Sequence, residues 1–394
     1  MKMSKLLLLL LFVGTPNLIL TVVPGVPIHI FVYVQIFFSI VYMIYNWGKF
    51  TKKCMFPTIL ISSLVIYTVF QVMYINESGR AGLGSYTLFP LMIFFIVYVN
   101  YIRLDSKKGT KYKIFVQNIV LSFYLLDCII AITERVLRYN FIQMESIFEN
   151  DNMYFELLTF RSAGILGQQL QDSLFVATVM LFLLISNIRY KYVLWLIGFI
   201  AILCFNSRFA TVISVCYFFL HILINKNISY KKKSLIVISS IPVALVFYNV
   251  MASGVLGGRF LDRGFDSSDF SIDTRFAIFN LFVRLNLSDF IIGISQNAIN
   301  RLLFINNIRI AENCWIVMIL KYGLCYTIPY LILLFYSIFN KHFNNWRISY
   351  TLFFTSGFFI IASSNNSLVV SQVPLAVFFL CIFSFNNLKN VYDT

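Results

Sequence analysis

Apolar stretches of roughly 20 residues recur along the whole chain, and no segment the size of a soluble domain separates them. An α-helix of about 20 residues crosses the hydrocarbon core of a bilayer, which is about 30 Å thick. Hydrophobic residues make up 59% of the 394 residues and charged residues only 12%, too few to cover a water-soluble protein of this length. The pattern predicts an all-α polytopic membrane protein that forms one membrane domain over residues 1–394.

We predict about twelve transmembrane helices, with both termini in the cytoplasm. The leucine-rich start resembles a signal peptide, but no small-residue cleavage site follows, so we predict a retained first span. The predicted spans are 5–23, 26–45, 56–75, 86–102, 114–133, 172–188, 190–205, 208–225, 234–252, 313–338, 347–363 and 366–386.

Two of the predicted outer, periplasmic loops are long, covering residues 134–171 and 253–312, and the others are short. Long loops on a helical scaffold commonly carry function, so we expect the functional site on this outer face. Within the second loop, Thr274–Leu287 predicts a short helix in the membrane interface, with phenylalanines spaced along it.

The formal charge of +15 does not indicate nucleic-acid binding, because the basic residues are spread over many short loops instead of one patch. Predicted inner segments carry the lysines, as orientation rules expect, whereas predicted outer segments carry arginine and no lysine. A guanidinium presents a planar fork of donors that suits phosphate. The alternative is that these arginines pair with loop carboxylates or lipid headgroups. Asp127 and Lys321 are the clearest charges inside predicted spans.

No motif of a soluble enzyme is present: the chain has no glycine-rich phosphate loop, no HExxH and no GxSxG between a strand and a helix. Its seven cysteines lie mostly in apolar runs without metal-type spacing. We therefore predict no metal site and no cofactor.

Single polar residues at the outer ends of predicted spans remain as candidates. Arg161 and Asp172 lie just before or at the start of the sixth span, and Arg208 lies in the tight turn between the seventh and eighth. Glu312 and Asn313 stand at the mouth of the tenth. Asp172 and Glu312 are each either a carboxylate favoured by a helix start or the general base of a transfer reaction.

Four segments between residues 161 and 324, less than half of the chain, carry a resemblance to a known family. They are RSAGILGQQLQDSLF, NSRFATVISV, DTRFAIFNLF followed by SDFIIGIS, and AENCWIVMILKYGL. In this order they resemble the signature blocks of the O-antigen polymerase and O-antigen ligase superfamily. The resemblance implies a GT-C-like membrane glycosyltransferase architecture.

The resemblance also implies roles for individual residues. Arg161, Arg208 and Arg275 would hold the pyrophosphate of a lipid-linked glycan, with Arg208 and Arg275 acting in catalysis. Arg284, Asp172 and Asn313 are further candidates for substrate binding. Where a ligase-like chain has histidine before asparagine, this chain has Glu312 before Asn313, which favours a polymerase over a ligase.

The expected function is therefore polymerisation of O-antigen or capsule repeat units at the outer face of the bacterial inner membrane. The resemblance implies undecaprenyl-pyrophosphate-linked glycans as substrates, membrane lipid as surroundings and a chain-length regulator as a partner. The alternatives are an O-antigen ligase, a flippase for lipid-linked oligosaccharide and a non-catalytic membrane scaffold. A flippase is expected to have short loops and charges deep in both halves of the bundle, whereas this chain has few deep charges and the long loop 253–312.

Overall fold

The computed structural model describes residues 28–75, 79–141, 160–225, 229–231, 233–235, 249, 278–306, 308, 311, 313–364 and 367–385. The regular structure in these ranges is helical, and they contain no strand. The all-helical part of the predicted fold class is therefore confirmed, and it is compatible with an α-helical membrane protein.

Helices make up most of the described chain. The first group contains α1 (Ile28–Tyr45), α2 (Trp47–Ile75), α3 (Gly79–Tyr101), α4 (Ser106–Leu137), α5 (Gln169–Ile185), α6 (Lys191–Phe205) and α7 (Arg208–Ile224). After a 3-10 helix (Ile278–Arg284), the second group contains α8 (Leu287–Ile292), α9 (Gln296–Ile305), α10 (Cys314–Tyr322), α11 (Leu324–Phe339), α12 (Ile348–Ser363), α13 (Ser367–Val370) and α14 (Val373–Ser384).

The apolar runs predicted as spans coincide with these helices wherever the chain is described. The predicted span 5–23 and most of 234–252 lie outside the described residues. Among the described residues, two helices are long and apolar enough to cross a bilayer: α4 and, within α2, Cys54–Gln71. Within the described ranges, seven shorter apolar helical segments, among them Thr87–Tyr101 within α3, have 10 to 17 residues each, so the number of crossings stays a prediction.

Two predicted spans are wrong as single helices. The run 313–338 is divided into α10 and α11 at Gly323, whose φ of 71° suits a residue without a Cβ. A side chain at Gly323 would overlap the carbonyl of Ile291, so glycine allows two chain segments to cross in backbone contact. The run 366–386 is likewise divided into α13 and α14.

The interfacial helix predicted over Thr274–Leu287 is also wrong in its extent. Residues 278–284 form a 3-10 helix, and Asn286 is extended (φ −70°, ψ 158°) as the residue that precedes α8. The extended Asn286 ends the first helical segment and starts the second, which the regular spacing of the phenylalanines does not reveal.

The chain divides into two compact units. The first comprises Met1–Val120, Ser267–Thr355 and Ala362–Asn386. Its core contains α3 and α14, which pack against each other and bury apolar side chains on all sides. Helices that are apolar all round are stable only when other helices or lipid surround them.

The second unit comprises Leu121–Asp266, Ser356–Ile361 and Asn387–Thr394. Its central helix is α5, in which every residue from Gln171 to Leu184 is buried, and which packs against α6 and α7. The last four turns of α4 also belong to this unit. The polar ends of these helices carry the site described next.

Candidate functional site

A loop held by three buried carboxylates precedes α5. This carboxylate-held loop comprises residues 161–168. Glu134, in the last turn of α4, accepts hydrogen bonds through Oε2 from the backbone N–H groups of Ala163 (2.7 Å) and Gly164 (3.0 Å). Its Oε1 accepts another from the N–H of Phe141 at 2.9 Å. One side chain at the end of α4 thus holds both the backbone just after this helix and the start of the loop before α5.

Two aspartates hold the second half of the loop. Asp127 of α4 accepts the N–H of Ile165 at 2.9 Å, and Asp172 of α5 accepts those of Leu166 (2.8 Å) and Gln168 (3.2 Å). Asp127, Asp172 and Glu134 are each 0% exposed. Successive backbone N–H groups stabilise buried negative charge, so the loop and the carboxylates stabilise each other.

Gly164 lies between the two aspartates. A Cβ at this position would be 2.6 Å from Oδ1 of Asp127 and 2.7 Å from Oδ1 of Asp172, and φ is +68°. Two carboxylates so close in a buried site repel each other unless they share a proton. Glycine alone has no Cβ to overlap the two carboxylates and adopts a positive φ without strain.

The first residues of the loop attach it to α4 and α6. The Ser162 hydroxyl donates to the carbonyl of Ala131 at 2.7 Å, and its N–H donates to the carbonyl of Cys204 at 3.2 Å. The guanidinium of Arg135 donates to the carbonyl of Phe160. The ends of α4 and α6 are thereby joined through the loop.

Arg161 connects the loop to the turn between α6 and α7. Its Nε donates to the carbonyl of Phe205 at 3.2 Å and its Nη2 to that of Asn206 at 3.4 Å. Asn206 has a left-handed conformation (φ 57°), which lets the chain reverse within two residues, and Arg208 is the first residue of α7.

Arg135, Arg161 and Arg208, hereafter the arginine cluster, therefore lie at the same end of the second unit. Each is partly exposed. The N-terminus of α7 adds the partial positive charge of a helix start beside Arg208. Guanidiniums bind phosphate and carboxylate oxygens in pairs of hydrogen bonds, so this end of the unit suits an anionic group.

The structure brings some of the predicted site residues together and separates others. Arg161, Arg208 and Asp172 belong to the end of the second unit that carries the arginine cluster. Both carboxylate oxygens of Asp172 accept backbone N–H groups of the loop, the arrangement expected of a residue that shapes the site.

The remaining predicted residues belong to the first unit or lie outside the described ranges. Oδ1 of Asn313 caps α10, accepting the N–H groups of Trp315 (3.0 Å) and Ile316 (3.2 Å). Arg284 is exposed at the end of the 3-10 helix. Arg275 and Glu312 lie outside the described residues.

Sequence reasoning did not single out Glu134, Arg135 or Asn206. Adjacent opposite charges directly after a predicted span, as in Glu134 and Arg135, are a usable signal for a helix end that organises a loop. An asparagine within a two-residue turn signals a left-handed position. Among the described residues, no group of three or more His, Cys, Asp and Glu side chains could hold a metal ion.

Fold, composition and site together define an all-helical protein, compatible with insertion in a membrane, that presents partly exposed arginines beside a loop anchored on buried carboxylates. Neither a protein-family model nor a curated protein sequence matches the chain.

Proposed function

We propose that the chain is a polysaccharide polymerase of the bacterial inner membrane. It transfers a growing O-antigen or capsule glycan from undecaprenyl pyrophosphate to a lipid-linked repeat unit at the outer face. The observation that supports this function best is the arginine cluster, in which Arg161 touches the turn that leads to Arg208. The resemblance of the segments that contain these residues supplies the reaction class.

The reaction needs positive charge where a pyrophosphate leaves. A hydroxyl of the acceptor sugar attacks the anomeric carbon of the donor, a new glycosidic C–O bond forms, and the bond from that carbon to the pyrophosphate oxygen breaks. The hydroxyl proton passes to a general base, and undecaprenyl pyrophosphate departs with the bonding electrons. Negative charge therefore grows on the pyrophosphate, where fixed guanidiniums stabilise it more than they stabilise the starting state.

The arginine cluster is suited to this task because its position is fixed. Arg161 is held by two backbone carbonyls, and its loop is anchored on Glu134, Asp127 and Asp172. Donors that are oriented before the reaction need no reorganisation as charge develops. A lysine has a single ammonium and no planar fork, so it cannot replace a guanidinium that binds two oxygens.

Glu312 is the proposed general base, and Arg275 is a proposed further ligand of the pyrophosphate. A carboxylate within hydrogen-bonding reach of the acceptor hydroxyl can take its proton. Arg284 and Asn313 are proposed contacts of the glycan. The activated pyrophosphate linkage supplies the driving force, so no nucleotide sugar is required at the outer face.

The cellular setting belongs to the same proposal. Both termini lie in the cytoplasm, the polyprenyl chains of donor and acceptor lie among the helices, and a chain-length regulator acts as a membrane partner. The end of the second unit that carries the arginine cluster then faces the periplasm.

The test is the surface glycan profile of bacteria that lack this chain, complemented with wild type, Arg161→Lys, Arg208→Lys or Arg189→Lys. Arg189 is the matched control, since it is an exposed arginine of the same unit that precedes α6, at the other end of that helix from the cluster. We expect the deletion to leave single repeat units. Each cluster variant should lower polymerisation on the order of 100-fold at normal protein level, and Arg189→Lys should restore long chains.

Other outcomes would replace the proposal. If the deletion abolishes single repeat units at the outer face, the chain is a flippase or a ligase. If the profile does not change, the chain does not act on surface glycan. If Arg161→Lys and Arg208→Lys both restore long chains, the cluster does not bind the leaving group.

A further inference from the structure

We propose that the side chain of Asn206 binds the sugar that is attached to the pyrophosphate of the lipid-linked donor. This inference rests on the polymerase function proposed above, and it assigns a sugar contact to a residue placed between Arg161 and Arg208.

Asn206 is buried and its amide is unused. The residue is 4% exposed, and neither Nδ2 nor Oδ1 has a hydrogen-bond partner within the part of the chain that the structure describes. A buried amide without partners is costly, because water has been lost from both its donor and its acceptor without replacement. Most buried polar side chains have a hydrogen-bond partner, so an amide without one points to a ligand or a functional role.

The conformation of the turn does not require an amide. Asn206 has a φ of 57°, a region that glycine adopts at no steric cost and that asparagine and aspartate tolerate. Glycine would therefore serve the turn without burying two unsatisfied polar atoms. The turn therefore does not explain why this position has an amide side chain.

The chemistry of the amide distinguishes a sugar from a phosphate. Oxygens of an ionised pyrophosphate only accept hydrogen bonds, so a phosphate could pair with Nδ2 and would leave Oδ1 unsatisfied. A sugar hydroxyl or an N-acetyl group both donates and accepts. Of the two polar parts of the donor headgroup, only the sugar can satisfy both ends of the Asn206 amide.

The neighbouring arginines place a sugar at the right position. The backbone carbonyl of Asn206 accepts Nη2 of Arg161 at 3.4 Å, and Arg208 follows two residues later. A pyrophosphate held by these guanidiniums has its first sugar one bond away, next to the turn. The Asn206 amide is enclosed beside the partly exposed Arg161 and Arg208, so a sugar reaches it from the side on which the guanidiniums lie.

The test compares two ligands that differ only in the sugars. Wild type, Asn206→Gly and Arg208→Lys, each in lipid nanodiscs, are titrated with sugar-free undecaprenyl pyrophosphate and with lipid-linked repeat units extracted from bacteria that lack this chain. We expect Asn206→Gly to weaken binding of the repeat unit about 10- to 100-fold, the loss of two neutral hydrogen bonds. Its affinity for undecaprenyl pyrophosphate should stay within about twofold of wild type, whereas Arg208→Lys should weaken both ligands.

Thermal unfolding of the same samples separates binding from structure. We expect Asn206→Gly to melt at or above the temperature of wild type, since it removes unsatisfied buried atoms and keeps the turn. The inference is overturned if Asn206→Gly binds the repeat unit as wild type does, if it weakens both ligands equally, or if it melts several degrees lower. If wild type binds neither ligand, the proposed function itself fails, which is a different result.

Discussion

At the scale of single residues, the site depends on what lies beneath the arginines. The carboxylate-held loop uses three acidic side chains, each fully buried, to fix the backbone from Ala163 to Gln168. These side chains together accept five backbone N–H groups of the loop inside a buried site, so the loop is held more firmly than a surface turn. Arg161 gains its fixed position from this layer as well as from its own contacts.

Replacement of Gly164 by alanine tests the fit of the loop between the aspartates. The new Cβ would lie 2.6 Å and 2.7 Å from the two carboxylate oxygens, and the alanine would have to keep a φ of +68°. We expect a loss of about 3 kcal/mol in unfolding free energy, combining the left-handed penalty with overpacking. Thermal unfolding in detergent measures this loss of stability. Gly48→Ala is the control, because nothing lies within 4 Å of a Cβ there, and equal effects of the two changes would contradict the prediction.

Replacement of Glu134 by glutamine tests the anchor of the loop. Glutamine keeps the shape of the side chain but loses the negative charge that accepts three backbone N–H groups. We expect about 2 kcal/mol of destabilisation and a loss of polymerisation comparable to that of Arg161→Lys. The control Asp105→Asn removes an 82% exposed carboxylate, 3.4 Å from Lys108, and should change stability by less than about 0.5 kcal/mol. Wild-type glycan chains in Glu134→Gln bacteria would show that the loop does not position Arg161.

At the scale of elements, the helix breaks are the feature that hydropathy did not predict. α8 ends at Gly293 and α10 at Gly323, and the two ends meet where the N–H of Ile294 donates to the carbonyl of Leu320 at 2.8 Å. The fully buried Gln71 of α2 donates its amide to the carbonyls of Ile292 and Tyr322. Carbonyls freed by a helix break in apolar surroundings need such a donor.

Gly323→Ala is expected to disrupt this crossing. Its Cβ would overlap the Ile291 carbonyl, a backbone atom that cannot turn aside as a side chain can, and φ is +71°. We expect destabilisation of about 3 kcal/mol or more, with little folded protein recovered in the membrane fraction. Yield and melting temperature measure the effect against Gly48→Ala. A variant that folds and melts like wild type would show that α10 and α11 can form one continuous helix.

The sequence predicted where helices form more accurately than where they end. Runs of apolar residues fix the helices, and most helix ends lie within a few residues of the predicted spans, whereas α2, α3 and α4 begin seven to nine residues earlier than predicted. Gly323 lies inside an apolar run, so hydropathy alone placed one span where the backbone makes two helices. For the site, Arg161 and Arg208 were found because they lie near the outer ends of predicted spans. The hydrogen bonds that join Arg161 to the turn before Arg208 use the backbone carbonyls of Phe205 and Asn206, which no side-chain pattern reveals.

At the scale of the whole molecule, the charge pattern and the position of the arginine cluster make the same prediction of orientation. The loop just after α4 and the turn just before α7 belong to segments predicted to lie outside, where arginine occurs without lysine. The loop that follows α5 and the start of α6 carry Arg189 and Lys191, and this segment is predicted to lie inside. A polymerase that receives its substrates after their transfer across the membrane needs this orientation.

Cysteine labelling in whole cells tests the orientation directly. In a background without the seven native cysteines, Arg138→Cys and Arg189→Cys each introduce one thiol at a position that is exposed in the structure. Arg138 follows α4, and Arg189 precedes α6, at opposite predicted faces of the membrane. We expect a membrane-impermeant maleimide to label Arg138→Cys in intact spheroplasts and Arg189→Cys only after permeabilisation, because the reagent reaches only the outer face. The reverse pattern would place the arginine cluster in the cytoplasm, away from the proposed acceptor. Equal labelling of both before permeabilisation would mean that the segment between them does not separate two sides of a membrane.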